Sequence, residues 1–293
     1  SGLAFLNILY STYFDYFLSI DSYTITFFLA LVTGSFFCYY GKNSLKKINF
    51  YEQLLLIILV YLMSSIFIAL PYYLSNYQIT FFDSVFESFS GITSTGFSIF
   101  ENIKYLDPTL ILWRSSSQWI GGLYFIIFLI IIFSNNQYNF RLNQLVFTGN
   151  MGSFSKSNTK NILLQIFLVY SLLTLLILII LSMGNVRLFN SLNLSMTIIS
   201  NGGFLPTNSL DQIFLKDDYY ILAVTLLIPT INIFFLFNLL NRKRIISDHQ
   251  EDLFLIVFIS ILSMIMFYSL KNVNFIEVLI NIISSISNSG ISF

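Results

Sequence analysis

Residues 81–98 read FFDSVFESFSGITSTGFS. The first part, 81–92, is apolar, yet it carries Asp, Glu and Ser at helical spacing and is too short to cross a bilayer. A crossing takes about 20 apolar residues, and runs of about 10–14 fall short. The second part is a small polar triplet, Thr93-Ser94-Thr95, then Gly96 and Phe97. The same design recurs twice. Residues 188–199 (LFNSLNLSMTII) lead into Ser200-Asn201-Gly202, then Gly203 and Phe204. Residues 275–286 (FIEVLINIISSI) lead into Ser287-Asn288-Ser289, then Gly290 and Ile291. An internal repeat of this kind governs the architecture. The unit is a spanning helix, a half-helix, a polar-glycine loop and a second span. It occurs twice in full and a third time in part.

Each short segment has two readings, an interfacial helix on the membrane surface or a re-entrant half-helix that enters and turns back. Irregular backbone at membrane depth is tolerated only where protein or water encloses it. Glycine there permits positive φ and close packing. Carbonyls released from helical pairing then face a common axis and replace the water shell of a cation. A half-helix with its C-terminus directed inward adds partial negative charge. One such loop is weak evidence, since Gly and Ser are common where membrane helices touch. Three at equivalent places make a cation filter the sharper reading.

Composition sets the solvent. Of the 293 residues 56% are hydrophobic and only 10% charged, with a mean hydropathy of +0.78. A soluble chain carries about 25% charged residues, so this one lives in lipid. Fourteen basic and fourteen acidic residues balance, and no basic surface argues for nucleic acid. A single cysteine, Cys38, and a single histidine, His249, exclude a disulfide framework and Cys- or His-rich metal centres.

Six spans are predicted, at roughly 23–40, 53–72, 111–133, 162–183, 219–240 and 253–270. Residues 1–18 read as the end of a further membrane helix. No charged region precedes an apolar core at the N-terminus, so no signal peptide is read there, and the start is expected to be truncated. Lys42, Lys46, Lys47, Arg141, Lys156, Lys160, Arg242, Lys243 and Arg244 fall in alternate loops. By the positive-inside rule those loops are cytoplasmic. The parity holds only if each short segment enters and leaves by the same face, which excludes spanning and leaves both readings open.

These residues resemble the Trk/Ktr/HKT superfamily of potassium transporters, most closely its bacterial TrkH branch. Residues 81–98 resemble that family's first pore helix and filter. RSSSQWIGG (114–122) resembles the start of the next helix, with Arg114, Gln118, Trp119, Gly121 and Gly122 in matching places. SNGGF (200–204) resembles the second filter, and SNSGIS (287–292) the third less closely. Asn232 sits where the family often has Asn, while Pro229 replaces a small Ser-Gly pair.

The resemblance implies an all-α membrane protein of the pseudo-fourfold cation-channel fold, here about two and a half repeats. Its parts would be a helical hairpin (1–48), repeat one (49–140), repeat two (141–250) and a partial repeat three (251–293). It further implies K+ uptake through filters built from Thr93, Ser94, Thr95, Gly96, Ser200, Asn201, Gly202, Gly203, Ser287, Asn288, Ser289 and Gly290. Rubidium would substitute for potassium, with sodium carried by some relatives. It implies a multi-pass protein of the bacterial cytoplasmic membrane, a homodimer, and gating by a TrkA-like cytosolic nucleotide-binding ring, with no covalent cofactor. The helix after filter three and all of repeat four are missing from this sequence. The chain is therefore read as a fragment that would not conduct alone.

Blander readings stand beside the sharp ones. The three glycines could be packing contacts. Glu87 and Glu277 are costly charges within half-helices. Each either attracts cations or pairs locally, Glu87 with a backbone N–H or with Arg114. Arg114 reads as a salt-bridge partner or interfacial anchor rather than a gate, and Gly121-Gly122 as close helix packing. Asn232 reads as an interhelical hydrogen-bonding residue, His249 as solvated, and Asp211, Asp217 and Asp218 as a solvated outer loop with a modest pull on cations. A membrane enzyme would need a paired base and nucleophile or a metal cluster within the spans. The sequence offers no intramembrane His and no acid pair on one span. A non-conducting assembly subunit or another polytopic cation transporter remains the alternative.

Overall fold

Ten α-helices follow one another in the computed structural model, which describes residues 1–16, 18–42, 49–133, 159–231, 250–270 and 273–291. They are α1 (Gly2–Tyr13), α2 (Ile20–Gly41), α3 (Phe50–Tyr73), α4 (Phe81–Ile92), α5 (Pro108–Phe133), α6 (Thr159–Met183), α7 (Leu188–Ile199), α8 (Tyr219–Leu227), α9 (Gln250–Ser269) and α10 (Phe275–Ser287). Among the described residues α2, α3, α5, α6 and α9 are long and apolar enough to cross a membrane. Much of their apolar surface faces outward. Phe254, Met264 and Tyr268 on α9 are largely exposed, as lipid-facing side chains are.

Residues 232–240 of the predicted span at 219–240 lie outside the described residues, and within 219–231 the helix is broken. Helix α8 stops at Leu227, and residues 228–231 form tight turns in which Ile228 N–H donates to Thr225 O and Thr230 N–H to Leu227 O. Pro229 has no N–H to give, and its ring crowds the carbonyl four residues back. A helix entering at Tyr219 thus unwinds about 13 Å along its axis, at 1.5 Å per residue. Asn232, His249, the basic loop 242–244 and residues 141–158 of the basic loop 141–160 lie outside the described residues.

The short helices α4, α7 and α10 each pack between spans. Helix α4 lies against α3 and α5, α7 against α6 and α5, and α10 against α9 and α8. Depth decides between the two readings of these segments. The end of α4, at Ile92, lies against Gly121 of α5. Gly121 is about 20 Å along α5 from Pro108 at the helical rise. An interfacial helix would touch only the first turn or two of α5, so α4 is re-entrant. The end of α7, at Ser200, meets Gly122 in the same way.

Local chemistry starts the first of these helices. Thr80 caps α4. Its Oγ1 accepts from Asp83 N–H at 3.2 Å and donates to Asp83 Oδ2 at 2.6 Å. The Asp83 carboxylate also sits at the positive end of the helix dipole. Thr80→Ala is expected to cost about 1 kcal/mol. This would read as a small fall in melting temperature in detergent, with no change in membrane insertion.

Candidate functional site

All three half-helices end identically. A residue with positive φ follows the last turn: Ser94 (φ 53), Asn201 (φ 53) and Asn288 (φ 57). Two residues on comes a glycine with positive φ: Gly96 (φ 85), Gly203 (φ 76) and Gly290 (φ 65). In each loop the N–H between these two reaches back five residues. Thr95 donates to Ser90 O at 2.9 Å, Gly202 to Thr197 O at 2.8 Å and Ser289 to Ser284 O at 3.0 Å. The left-handed residue donates three back, Ser94 to Gly91 O, Asn201 to Ile198 O and Asn288 to Ser285 O. This is the Schellman closure of a helix C-terminus. It consumes two of the four orphan carbonyls of the last turn. The carbonyls of Thr93, Ser94, Thr95 and Gly96 accept no hydrogen bond from any described residue, which leaves their lone pairs uncommitted among those residues.

The loops converge. A Cβ added to Gly96 would lie 2.5 Å from Gly202 O and 3.4 Å from Gly203 Cα. One added to Gly203 would run into Ser289 O, with Gly96 Cα at 3.8 Å. Filter one therefore abuts filter two, and filter two abuts filter three, backbone against backbone. Around Gly290 nothing described lies within 4 Å of the corresponding position. The twelve residues singled out in the sequence thus form one cluster.

Helix α5 builds the wall behind two of these loops. Arg114, Ser117, Gln118, Gly121 and Gly122 recur at i, i+3, i+4, i+7 and i+8, which places them on one helical face. Each meets a pore element. Arg114 Nε donates to Glu87 Oε1 at 2.8 Å, and the two side chains are 1% and 0% exposed. Ser98 Oγ donates to the same Glu87 oxygen at 3.0 Å, and Ile99 N–H donates to Glu87 Oε2 at 2.9 Å. Arg114 also donates to Ser98 Oγ at 2.9 Å, and its guanidinium lies 4.3 Å from the Phe204 ring centroid. Glu87 is consequently neutralised and tethered to the strand leaving filter one, which makes local pairing its role and leaves no free charge to draw cations. Glu277 lies in the first turn of α10 and accepts from Asn274 Nδ2 at 2.9 Å; its charge complements a helix N-terminus.

By sequence Gln118 is legible only as part of the block RSSSQWIGG (114–122). In the structure its Nε2 donates to Gly202 O and its Oε1 accepts from Phe204 N–H at 3.1 Å. The Gly202 carbonyl is therefore bonded to protein, while Gly202 itself stays in the loop. The available signal was the spacing: a polar stripe at i, i+3 and i+4 inside a span needs partners, and here the partners are filter loops. Trp119 faces the other way and donates to Thr174 Oγ1 on α6 at 3.0 Å. Beyond the filters, Asn208 joins the two outer loops by accepting from Ile103 N–H at 2.7 Å and donating to Asn102 Oδ1 at 3.1 Å. On the other side of filter two a cavity of about 220 Å³ is bounded by Gly122, Ser200, Asn201 and the turn at Pro229–Ile231.

Half-helices that dip between spans and end in glycine loops around one centre define the pore-loop class of membrane proteins. Relatives make the class specific. The chain is 26% identical over 279 residues to an uncharacterized cation transporter of Methanocaldococcus jannaschii, covering 90% of this chain and 56% of that protein. It is 30% identical over 112 residues to the Trk system potassium uptake protein TrkH of Escherichia coli, covering 38% of this chain and 23% of that protein. The crystal structure of the potassium transporter TrkH from Vibrio parahaemolyticus superposes with a TM-score of 0.78 at 20% identity, covering 99% of this chain and 63% of that one. No family model matches. In sequence the chain is thus similar to an archaeal cation transporter and to Trk potassium uptake proteins, and in fold to TrkH, and it spans little more than half the length of the archaeal relative.

Proposed function

We propose that the protein containing this chain takes up potassium through a pore in the bacterial cytoplasmic membrane, driven by the membrane potential. Dehydrated K+ would be held by backbone carbonyls of residues 93–96, 200–203 and 287–290, with Gly202 contributing backbone shape rather than a free oxygen. The observation that carries this reading is the threefold recurrence of one backbone geometry. Three half-helices end in the same closure, with positive φ at equivalent residues, and their loops touch at the glycines. Packing glycines alone give no reason for the same φ signature three times. The named activities of the potassium-uptake relatives agree with it. The repeat boundaries, the homodimer and a cytosolic nucleotide-binding ring acting on the basic loops belong to the same proposal.

Rubidium uptake by the whole gene product, in cells lacking their own potassium uptake, is the test. Gly96→Ala forces a side chain into a left-handed position, at about 1–2 kcal/mol, and against the Gly202 carbonyl. The expected result is rubidium uptake that is lost or no longer preferred over sodium, with a normal amount of protein in the membrane. Altered assembly with no flux phenotype would instead identify a non-conducting scaffold. The broader name of the archaeal relative makes sodium the necessary comparison ion.

A further inference from the structure

We propose that Gln118 is a positioning residue that sets the ion preference of filter two, by clamping the peptide planes on either side of Gly203. The inference rests on the pore reading above and adds a residue that acts on the filter from outside it. Gln118 is fully buried on α5. Its side-chain amide donates to Gly202 O and accepts from Phe204 N–H. Only a side chain carrying both a donor and an acceptor pairs with backbone in this way. Every peptide bond described is trans, so the Gly203 carbonyl points opposite to the Phe204 N–H. Because that N–H faces Gln118, the Gly203 carbonyl is turned away from α5.

The clamp matters because Gly203 is free to rotate. With φ at 76 and no Cβ, neither flanking peptide plane is held by sterics. One turn earlier on α5, Arg114 stacks on the Phe204 ring and donates to Leu205 O at 3.5 Å, which fixes the chain just beyond. Among the described residues no side chain bonds the carbonyl of Thr95 or of Ser289, the residues equivalent to Gly202. Filter two therefore differs from its neighbours, with one carbonyl committed to protein and the next one aimed. Cation preference depends on the number and field of the carbonyls an ion meets. The amide of Gln118 sets both for this loop.

The test compares Gln118→Glu and Gln118→Met in the whole protein reconstituted into liposomes. The readouts are rubidium uptake, sodium competition, amount inserted and melting temperature. Glutamate keeps an acceptor for Phe204 N–H but loses the donor to Gly202 O; methionine fills similar space with neither. Losing a buried hydrogen bond is expected to shift the rubidium-to-sodium preference about tenfold for methionine; glutamate also sets an unpaired carboxylate against the Gly202 carbonyl, so its shift is expected to be at least as large. A uniform fall in flux with an unchanged ratio would show a merely structural role and overturn the proposal. If the methionine variant fails to insert, the ratio in the glutamate variant decides by the same criterion. A wild-type protein that carries neither ion would instead overturn the pore reading, and this inference with it.

Discussion

Replacing Arg114 with methionine is expected to destabilise the fold by about 3–5 kcal/mol, the cost of leaving one member of a buried ion pair without its partner. Glu87 is 0% exposed, and its carboxylate would retain only Ser98 Oγ and Ile99 N–H. The charge has no water to turn to, so the segment after Gly96 must open to hydrate it. The check is thermal melting in detergent together with folded yield. A double variant sharpens it. Adding Glu87→Gln removes the stranded charge while keeping an oxygen for Ile99 N–H, so most of the loss should return. Neighbours in one network do not behave additively, and recovery in the double variant would measure that coupling. Equal loss in single and double variants would mean that Arg114 acts through its stacking on Phe204 rather than through charge.

Gly121→Val is expected to be comparably damaging for a different reason. A Cβ there would overlap the carbonyl oxygen of Ile92, with the carbonyl carbon at 2.7 Å and Cα at 3.0 Å. These are backbone atoms of the half-helix end and cannot swing aside. Overpacking costs about 1–3 kcal/mol and more where backbone must move. Displacing α4 also displaces residues 93–96, so under the proposed function rubidium uptake by the whole protein should vanish along with stability. Gly34 on α2 supplies the control, since nothing lies within 4 Å of its added Cβ. Gly34→Ala should raise stability by about 0.5–1 kcal/mol, the ordinary preference for alanine over glycine inside a helix. If Gly121 tolerated valine as Gly34 is expected to tolerate alanine, α4 would not be wedged against α5 as described.

The half-helices were legible because their signal is local. Residues 81–92 and 188–199 were bounded by sequence alone at the limits that α4 and α7 take. The third was placed within a residue. Apolar length, the polar triplet and glycine suffice for that. Asn201 and Asn288 suit left-handed backbone, whereas Ser94 carries no such mark and was recoverable only through its place in the repeat. The pairing of Glu87 with Arg114 stood as one of two readings, because 27 residues separate them and only packing brings them together. Gln118 reaches the second loop across 84 residues; the polar stripe on its helix signals that a partner is needed but not which one. At 219–240 hydropathy favoured an unbroken span. Proline's missing N–H prevailed over it at Ile228–Ile231, a backbone effect that an apolar average does not register.

The contacts between the loops have a hand. Gly96 leaves room for a carbonyl of filter two, and Gly203 leaves room for one of filter three. The first two loops each receive their successor, like blades overlapping in one rotational sense. Head-to-tail contact of this kind differs from symmetric pairing, in which both partners present the same patch. A side chain at Gly203 therefore presses forward on Ser289, whereas one at Gly96 presses on filter two. Strain introduced at Gly96 or Gly203 is thus passed to the next loop in chain order.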